Sequence, residues 1–207
     1  MRVYKFLDER FGMKSLAEKR LKISTVEDLN DPFELLPFGM TDKTNRMALN
    51  SARKVWGAEH GMLCFSSDWR DPVIWAHYSD KNRGLCLGFE IPDAYATKVN
   101  YVSDRLPFPD RLQLDDAAAW VFTKFANWSY EKEIRICTTL KDKSDGLYFK
   151  EFGQDLNLTE VVAGARCKLT RDEILQVLRP LNNVKLIKAR PGFNRFEIVE
   201  DQRGFPQ

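Results

Sequence analysis

The sequence predicts an α+β fold, in which helices pack around a mixed, largely antiparallel sheet. Short strand-like runs recur along the chain between irregular loops, and several helices lie among them without the regular alternation of a doubly wound parallel sheet. At 207 residues, with no internal repeat, linker or low-complexity stretch, the chain is long enough to bury one core. We therefore expect a single globular domain over residues 1–207.

In the first third of the sequence, strands are apolar or alternating runs and helices follow capping residues. We expect strands over 3–6, 20–24 and 61–66 and helices over 8–19 and 42–58. Asp8 suits the first helix as an N-cap, because its carboxylate accepts hydrogen bonds from unpaired backbone N–H groups of the first turn. Asn30, Asp31 and Pro32 predict a turn, since Asx side chains bond nearby backbone groups.

The rest of the sequence continues this mixture of elements. We expect helices over 71–78, 115–125 and 170–179 and strands over 85–91, 98–102, 128–136, 147–152, 159–162, 184–189 and 196–199. Asp71 and Pro72 are typical of the N-cap and first turn of a helix. Thr170 and Glu173 form a capping-box pattern for the last helix, and Pro180 ends it.

The composition indicates an ordered protein without a strong charge bias. Hydrophobic residues make up 43% and charged residues 30%, and the 12% of aromatic residues are expected mostly in the core. A net charge of +2 is too small to indicate nucleic-acid binding by itself, although it leaves a local basic patch open. The sequence lacks a signal peptide and a membrane-spanning run, so we expect a cytoplasmic protein.

The cysteines and histidines do not predict a metal site. Cys64, Cys86, Cys137 and Cys167 are widely spaced and lie mostly in apolar runs, which is typical of buried reduced thiols. The chain has only two histidines, so a structural zinc site is not expected.

The most informative segment is 128–136, WSYEKEIRI. Period-two alternation places Glu131, Glu133 and Arg135 on one face of a predicted strand. Strands disfavour glutamate, and like charges two residues apart repel, so these carboxylates need nearby cations or a functional cleft. Two interpretations stay open: a solvated outer face on which Arg135 neutralises the glutamates, or an inward ridge that lines a cleft.

Several blocks of the chain resemble a bacterial protein family. The blocks are YKF, LNDPFE, LCFSSD, IWAHYSDKNRGLCLGFE and WSYEKEIRI. They extend from Tyr4 to about Gly164 and are together similar to the successive blocks of the family catalogued as domain of unknown function 2971. This resemblance implies no established activity.

A more distant resemblance is to mono-ADP-ribosyltransferases. It rests on the order of an N-terminal strand with a polar residue, a serine-bearing strand and a Glu-x-Glu strand, and it implies a split ADP-ribosyltransferase-like sandwich with NAD as substrate. The second glutamate is catalytic in that superfamily and the first assists the nucleophile, and these roles fall on Glu133 and Glu131. The first-strand Arg or His of those enzymes has no direct counterpart, since Tyr4 and Lys5 occupy that region.

NAD cleavage would give these residues a chemical task. Breaking the nicotinamide glycosidic bond develops positive charge on the ribose, which a carboxylate such as Glu133 stabilises. Tyr78 would stack on the nicotinamide, and Ser66 would hydrogen-bond within the site. The expected cofactor-binding residues are Tyr4, Lys5, Asn30, Ser66, His77 and Tyr78.

These residues also have structural interpretations. His77 is equally typical of a hydrogen-bonded packing residue. Asn30, Asp31 and Glu34 are typical of a stabilised turn, and Ser66 of a satisfied hydroxyl at a strand end.

The function we expect is that of an NAD-dependent ADP-ribosyltransferase-like enzyme, acting as an intracellular toxin or antiphage defence effector. Its partners would be a macromolecular acceptor, either protein or nucleic acid, and a regulatory partner or antitoxin, with no metal and no membrane. Two alternatives stay open. One is a metal-independent nuclease that uses His77 and Glu133 with Arg135 or Lys5, and the other is a non-catalytic module that binds a nucleotide or a protein.

Overall fold

The computed structural model describes residues 1–110, 117–181 and 183–206. The helices are α1 (Glu9–Glu18), α2 (Lys43–Glu59), α3 (Pro72–Tyr78), α4 (Ala117–Val121) and α5 (Arg171–Leu178). The strands are β1 (Arg2–Leu7), β2 (Arg20–Lys22), β3 (His60–Ser66), β4 (Leu85–Glu90), β5 (Thr97–Lys98), β6 (Asn100–Val102), β7 (Thr123–Phe125), β8 (Glu133–Thr139), β9 (Phe149–Glu151), β10 (Asn157–Ala163), β11 (Lys185–Pro191) and β12 (Ile198–Glu200). This mixture confirms the predicted α+β class.

The described chain divides into two compact units built from interleaved segments. The first unit comprises Met1–Lys22, Phe65–Tyr95 and Phe149–Gln207, and the second comprises Ile23–Cys64 and Ala96–Tyr148. The single domain expected over residues 1–207 stays a prediction.

The first unit is built on a mixed sheet. Its strands follow the order β12–β11–β10–β4–β1, in which only β10 and β11 pair in parallel. Strand β4 pairs with β1 and β10 on its two edges and is buried over five of its six residues. Because successive side chains of a strand point to opposite faces, both faces of the sheet are covered at this strand. Asp8 caps α1 through a 2.7 Å bond from the N–H of Phe11, and Thr170 and Glu173 form the predicted capping box of α5.

The second unit combines short strands with an apolar core. In it β8 lies between β3 and β5, and β6 pairs in parallel with β7. Helix α2 begins after Asp42, whose carboxylate caps its first turn. The buried residues of this core are Val26, Leu35, Phe38, Leu49, Trp56, Met62, Trp120 and Val121.

The helix predicted over 115–125 is wrong at its C-terminal end. Its first residue, Asp115, lies outside the described residues. Helix α4 ends at Val121, and Thr123 and Phe125 belong to β7, where they pair with Asn100 and Val102 of β6. The apolar spacing suits a helix, but pairing with a strand about twenty residues earlier overrides that local preference.

The strand predicted over 128–136 begins too early. Residues Ala126–Glu131 form a 3-10 helix, and the strand starts at Glu133. Between them, Lys132 has a left-handed backbone with φ of 46°, and its N–H donates to the carbonyl of Ser129. This turn separates Glu131 from the strand that carries Glu133.

The four cysteines are free thiols, as predicted. Cys86 and Cys167 are buried, and Cys64 and Cys137 are half-buried. Within the described ranges, no helix is long and apolar enough to cross a lipid bilayer.

Gly84, which immediately precedes β4, should not tolerate a side chain. A Cβ at this position would lie 2.0 Å from the carbonyl oxygen of Leu7 and 2.8 Å from the Cα of Asp8. We therefore expect Gly84→Ala to lower the free energy of unfolding by about 1–3 kcal/mol or more, measured by urea denaturation. Gly153→Ala is the matched control, because its Cβ would meet no atom within 4 Å; equal effects of the two variants would contradict the steric argument.

Candidate functional site

A tight turn in the second unit directs Glu34 inward. The Oδ1 atom of Asp31 accepts a 2.9 Å bond from the N–H of Phe33, and the N–H of Glu34 donates to the carbonyl of Asp31. The next residue, Leu35, is fully buried with φ of 61°, a strained conformation for a leucine. The predicted Asx turn is therefore confirmed, but its glutamate is only 2% exposed.

Glu34 belongs to a buried cluster of charged side chains, which we call the ion network. Its members are Glu34, Lys124, Glu131, Glu133 and Arg135, each at most 6% exposed. They come from the turn, from β7, from the 3-10 helix and from the start of β8. The interpretation of Glu131 and Glu133 as residues of a solvated outer face is therefore wrong.

Arg135 is the most buried member of the ion network, at 0% exposure. Its Nε and Nη2 atoms donate to the two carboxylate oxygens of Glu133 at 2.8 and 3.0 Å. Nη2 also donates to Oε1 of Glu34 at 2.8 Å, and Nη1 donates to the carbonyl of Val121. This paired geometry matches the planar fork of the guanidinium.

Lys124 is the second cation and contacts all three glutamates. Its Nζ atom lies 2.6 Å from Oε2 of Glu131, 3.2 Å from Oε2 of Glu133 and 3.3 Å from Oε1 of Glu34. The same ammonium lies 4.8 Å from the centroid of the Trp128 ring. Lys124 therefore joins the two predicted acidic residues, although they lie on different elements.

The network keeps Glu133 ionised. Burial by itself would raise the pKa of Glu133, but the Arg135 guanidinium and then the Lys124 ammonium outweigh burial and lower it to about 2. A hydrogen bond from the Cys64 thiol acts in the same direction. Conversely, burial would lower the pKa of Lys124, but the carboxylates around it hold that pKa above its usual value.

The ion network holds three carboxylates against two cations. Consistent with this excess, Oε2 of Glu34 is buried and has no hydrogen-bond partner among the described residues. Among all the residues that the structure describes, no group of three or more His, Cys, Asp or Glu side chains is arranged to hold a metal ion.

A cavity of about 260 Å³ lies beside the ion network. Its lining residues are Phe33, Leu36, Pro37, Val102, Ser103, Asp104, Arg105, Thr123, Lys124 and Phe125. Lys124 belongs both to this lining and to the network. The Arg105 guanidinium lies 5.1 Å from the centroid of the Phe33 ring and donates to the carbonyls of Leu36 and Phe38 at 2.6 and 3.1 Å.

The predicted site residues are divided between the two units. Glu131, Glu133 and Asn30 belong to the second unit, and Asn30 is exposed outside the ion network. The remaining predicted residues, all in the first unit, are Tyr4, Lys5, Ser66, His77 and Tyr78.

The predicted site residues of the first unit lie on β1, on α3 and at the C-terminal end of β3. Tyr4 and Lys5 are half-buried on β1, and Tyr4 pairs with Ser66. The Ser66 hydroxyl donates to the carbonyl of Asp68 and accepts its N–H. His77 is exposed on α3, with its ring 6.3 Å from that of Tyr78.

Lys124 and the cavity were not predicted from the sequence. The available signal for Lys124 is a lone cation within the apolar run WVFTKF, which needs carboxylate partners if it is buried. The helix predicted over this run concealed that signal. The sequence shows no comparable signal that would identify Phe33, Arg105 and Phe125 as residues of a cavity.

Comparison with family models, with curated proteins and with solved structures gives no match to this chain.

Glu133→Gln should lower the free energy of unfolding by about 3–5 kcal/mol, because it removes one partner of a buried ion pair and leaves Arg135 under-compensated. The pKa of Glu133 in the folded protein, about 2, lies below the ordinary glutamate pKa of 4.5. The stabilisation by its charge should therefore be complete above pH 4.5 and be lost as the pH falls toward 2. Urea denaturation across this pH range measures the difference between variant and wild type.

The control for this prediction is Glu200→Gln. Glu200 forms an exposed ion pair with Lys185 at 3.0 Å, and such surface pairs contribute little to stability. A Glu133→Gln protein as stable as wild type at neutral pH would contradict the structural importance of the ion network.

Proposed function

We propose that the second unit is a non-catalytic module that binds a nucleotide, with its base in the cavity beside Lys124. The observation that supports this proposal is that Lys124 and Arg135 hold Glu131 and Glu133 in buried ion pairs. Because the pKa of Glu133 is about 2, this carboxylate is a weak proton acceptor near neutral pH. It serves instead to fix the wall of the cavity.

The chemistry of the cavity suits a planar ring that carries an anionic group. Phe33 and Phe125 offer aromatic surface for packing against a ring. The three carboxylates around Lys124 offset its charge, so Arg105 is the lining cation that would meet a phosphate. A volume of about 260 Å³ lies below the roughly 300–1,000 Å³ typical of drug-sized ligands, and it matches one ring system of a dinucleotide.

Calorimetric titration with AMP and NAD tests the binding proposal. We expect Phe125→Ala to weaken binding by about tenfold, because truncation removes stacking surface of roughly 1 kcal/mol or more. Leu147→Ala is the matched control, since Leu147 lies in the same unit, is also 40% exposed and does not line the cavity. No binding of either nucleotide, or equal affinity of Phe125→Ala and wild type, would contradict the proposal.

The second candidate function is ADP-ribosyl transfer from NAD. It is favoured by the inward position and ionised state of Glu133, because a fixed negative charge stabilises the oxocarbenium-like ribose. In this proposal NAD is the substrate, and Glu131 assists the acceptor, a protein or a nucleic acid. The ribose would have to compete with Arg135 and Lys124 for the carboxylate.

The transferase candidate also includes the expectations about fold, family and biological role that were drawn from the two sequence resemblances. They are a split ADP-ribosyltransferase-like sandwich, membership of the bacterial family of unknown function, and action in the cytoplasm as a toxin or antiphage effector with a regulatory partner or antitoxin. The nuclease alternative also stays a prediction. Its two principal residues are an exposed His77 in the first unit and a buried Glu133 in the second.

Nicotinamide release separates transfer from binding. If the protein is a transferase, wild type releases nicotinamide from NAD, and Glu133→Gln loses at least about a hundredfold in rate, the scale of a lost electrostatic contact to the transition state. Far-UV circular dichroism verifies that the variant is folded. Absence of release by wild type, or equal release by the folded variant, would exclude Glu133 as the catalytic residue and leave the binding module.

A further inference from the structure

The hairpin formed by β11 and β12 in the first unit ends in a loop with two exposed aromatic side chains. Phe193 is 84% exposed and Phe196 is 100% exposed, the two highest values among the large hydrophobic residues of the described chain. An apolar ring held entirely in water is unfavourable unless a binding partner covers it. The proposed function of the second unit does not use this loop.

The loop has a defined backbone. Strands β11 and β12 pair antiparallel as far as Pro191 and Ile198, and the N–H of Gly192 donates to the carbonyl of Glu197 at 2.7 Å. A Cβ on Gly192 would lie 2.9 Å from the carbonyl oxygen of Arg195, so this close approach requires a glycine. The two rings are therefore presented on a fixed turn.

Arginines alternate with these aromatic residues, in the sequence RPGFNRF over 190–196. The Arg190 guanidinium lies 4.1 Å from the centroid of the Phe193 ring. Arg195 is exposed and makes no ion pair within the described ranges. Arg70 is another exposed cation. The N–H of Ile198 donates to the carbonyl of Arg70 at 2.8 Å, which places Arg70 beside the hairpin.

Acidic side chains only partly offset these cations. Asp201 lies 3.0 Å from Arg203 and 4.0 Å from Arg190, and Asp68 pairs with Arg70 at 3.4 Å. Arg195, which lies between the two exposed rings in the sequence, forms no ion pair with any described residue, Glu197 of the same loop included. The hairpin therefore combines stacking surface with a free positive charge.

We propose that the β11–β12 hairpin binds single-stranded nucleic acid. Bases stack on Phe196 and on the exposed part of Phe193, and Arg195 pairs with a backbone phosphate. Stacking on aromatic rings combined with positive charge is the general means by which proteins hold unpaired strands, because every base has a π-face and every nucleotide a phosphate. Unpaired strands fit better than duplexes, whose base faces are covered.

A lipid membrane fits this loop less well. Asn194 and Arg195 lie between the two rings in the chain and Glu197 follows them, so inserting both rings would draw polar and charged groups toward hydrocarbon. Stacking on bases leaves these groups in water beside the phosphates. The alternation of arginine and phenylalanine thus favours a nucleic-acid partner.

Fluorescence anisotropy with labelled oligo(U) and oligo(dT) of about 12 nucleotides tests the proposal on the full chain. We expect each of Phe193→Ala and Phe196→Ala to weaken binding by about tenfold, in line with the measured range for base stacking on aromatic residues. Arg195→Gln should weaken binding and reduce the slope of log affinity against log salt by about 0.7, the value for one phosphate contact on a single strand.

Phe11→Ala is the matched control, because Phe11 is an exposed ring of the same unit, 53% exposed and with Arg10 5.6 Å away. It should leave affinity unchanged. Absence of binding to either oligonucleotide, or equal affinity of the double Phe193→Ala, Phe196→Ala variant and wild type, would overturn the proposal. Loss of sedimentation with phosphatidylserine vesicles in that variant, without oligonucleotide binding by wild type, would identify a membrane contact instead.

Discussion

The pairing of Arg135 with Glu133 is the interaction on which the second unit depends. A guanidinium removed from water costs several kcal/mol unless its donors are paired, and Arg135 is fully buried. Its partners are the two oxygens of Glu133, one oxygen of Glu34 and the carbonyl of Val121. Satisfying one cation therefore requires a turn, a helix end and a strand to meet at one point.

The same constraint connects the ion network to the cavity. Lys124 fits among three carboxylates only because β7 holds it there, and this position also makes it part of the cavity lining. A cavity wall fixed by buried ion pairs is already organised before a ligand enters, so less conformational entropy is lost on binding. Such an arrangement favours recognition over proton transfer, because a carboxylate shared by two cations stays ionised through the ordinary pH range.

The aromatic residues of this chain serve two different purposes. Trp75 and Trp120 are fully buried and fill the cores of the first and second units. Phe193 and Phe196 are almost entirely in water on a turn that Gly192 fixes. Composition predicts only that most aromatic rings are core, so it does not distinguish these two sets. The alternation with Arg190 and Arg195 is the local signal of the second purpose.

Local chemistry determined much of the secondary structure. The N-caps at Asp8 and Asp71, and the capping box at Thr170, form as expected, because each involves backbone groups within three residues. The prediction failed over 122–125 and 128–132, where pairing of β7 with β6 and the left-handed Lys132 override the local sequence pattern. A local pattern carries no information about which strand is available to pair.

The sequence by itself determined the α+β class, most helix starts and the local alternation of charge over Glu131, Glu133 and Arg135. Only the tertiary structure decided that these charges face inward and that Lys124 lies among them. The physical reason is distance along the chain: Arg135 bonds to Glu34, 101 residues away, and no periodicity within one segment specifies such a contact. Burial converts a surface-like charge pattern into a paired network, and burial is a property of the folded chain.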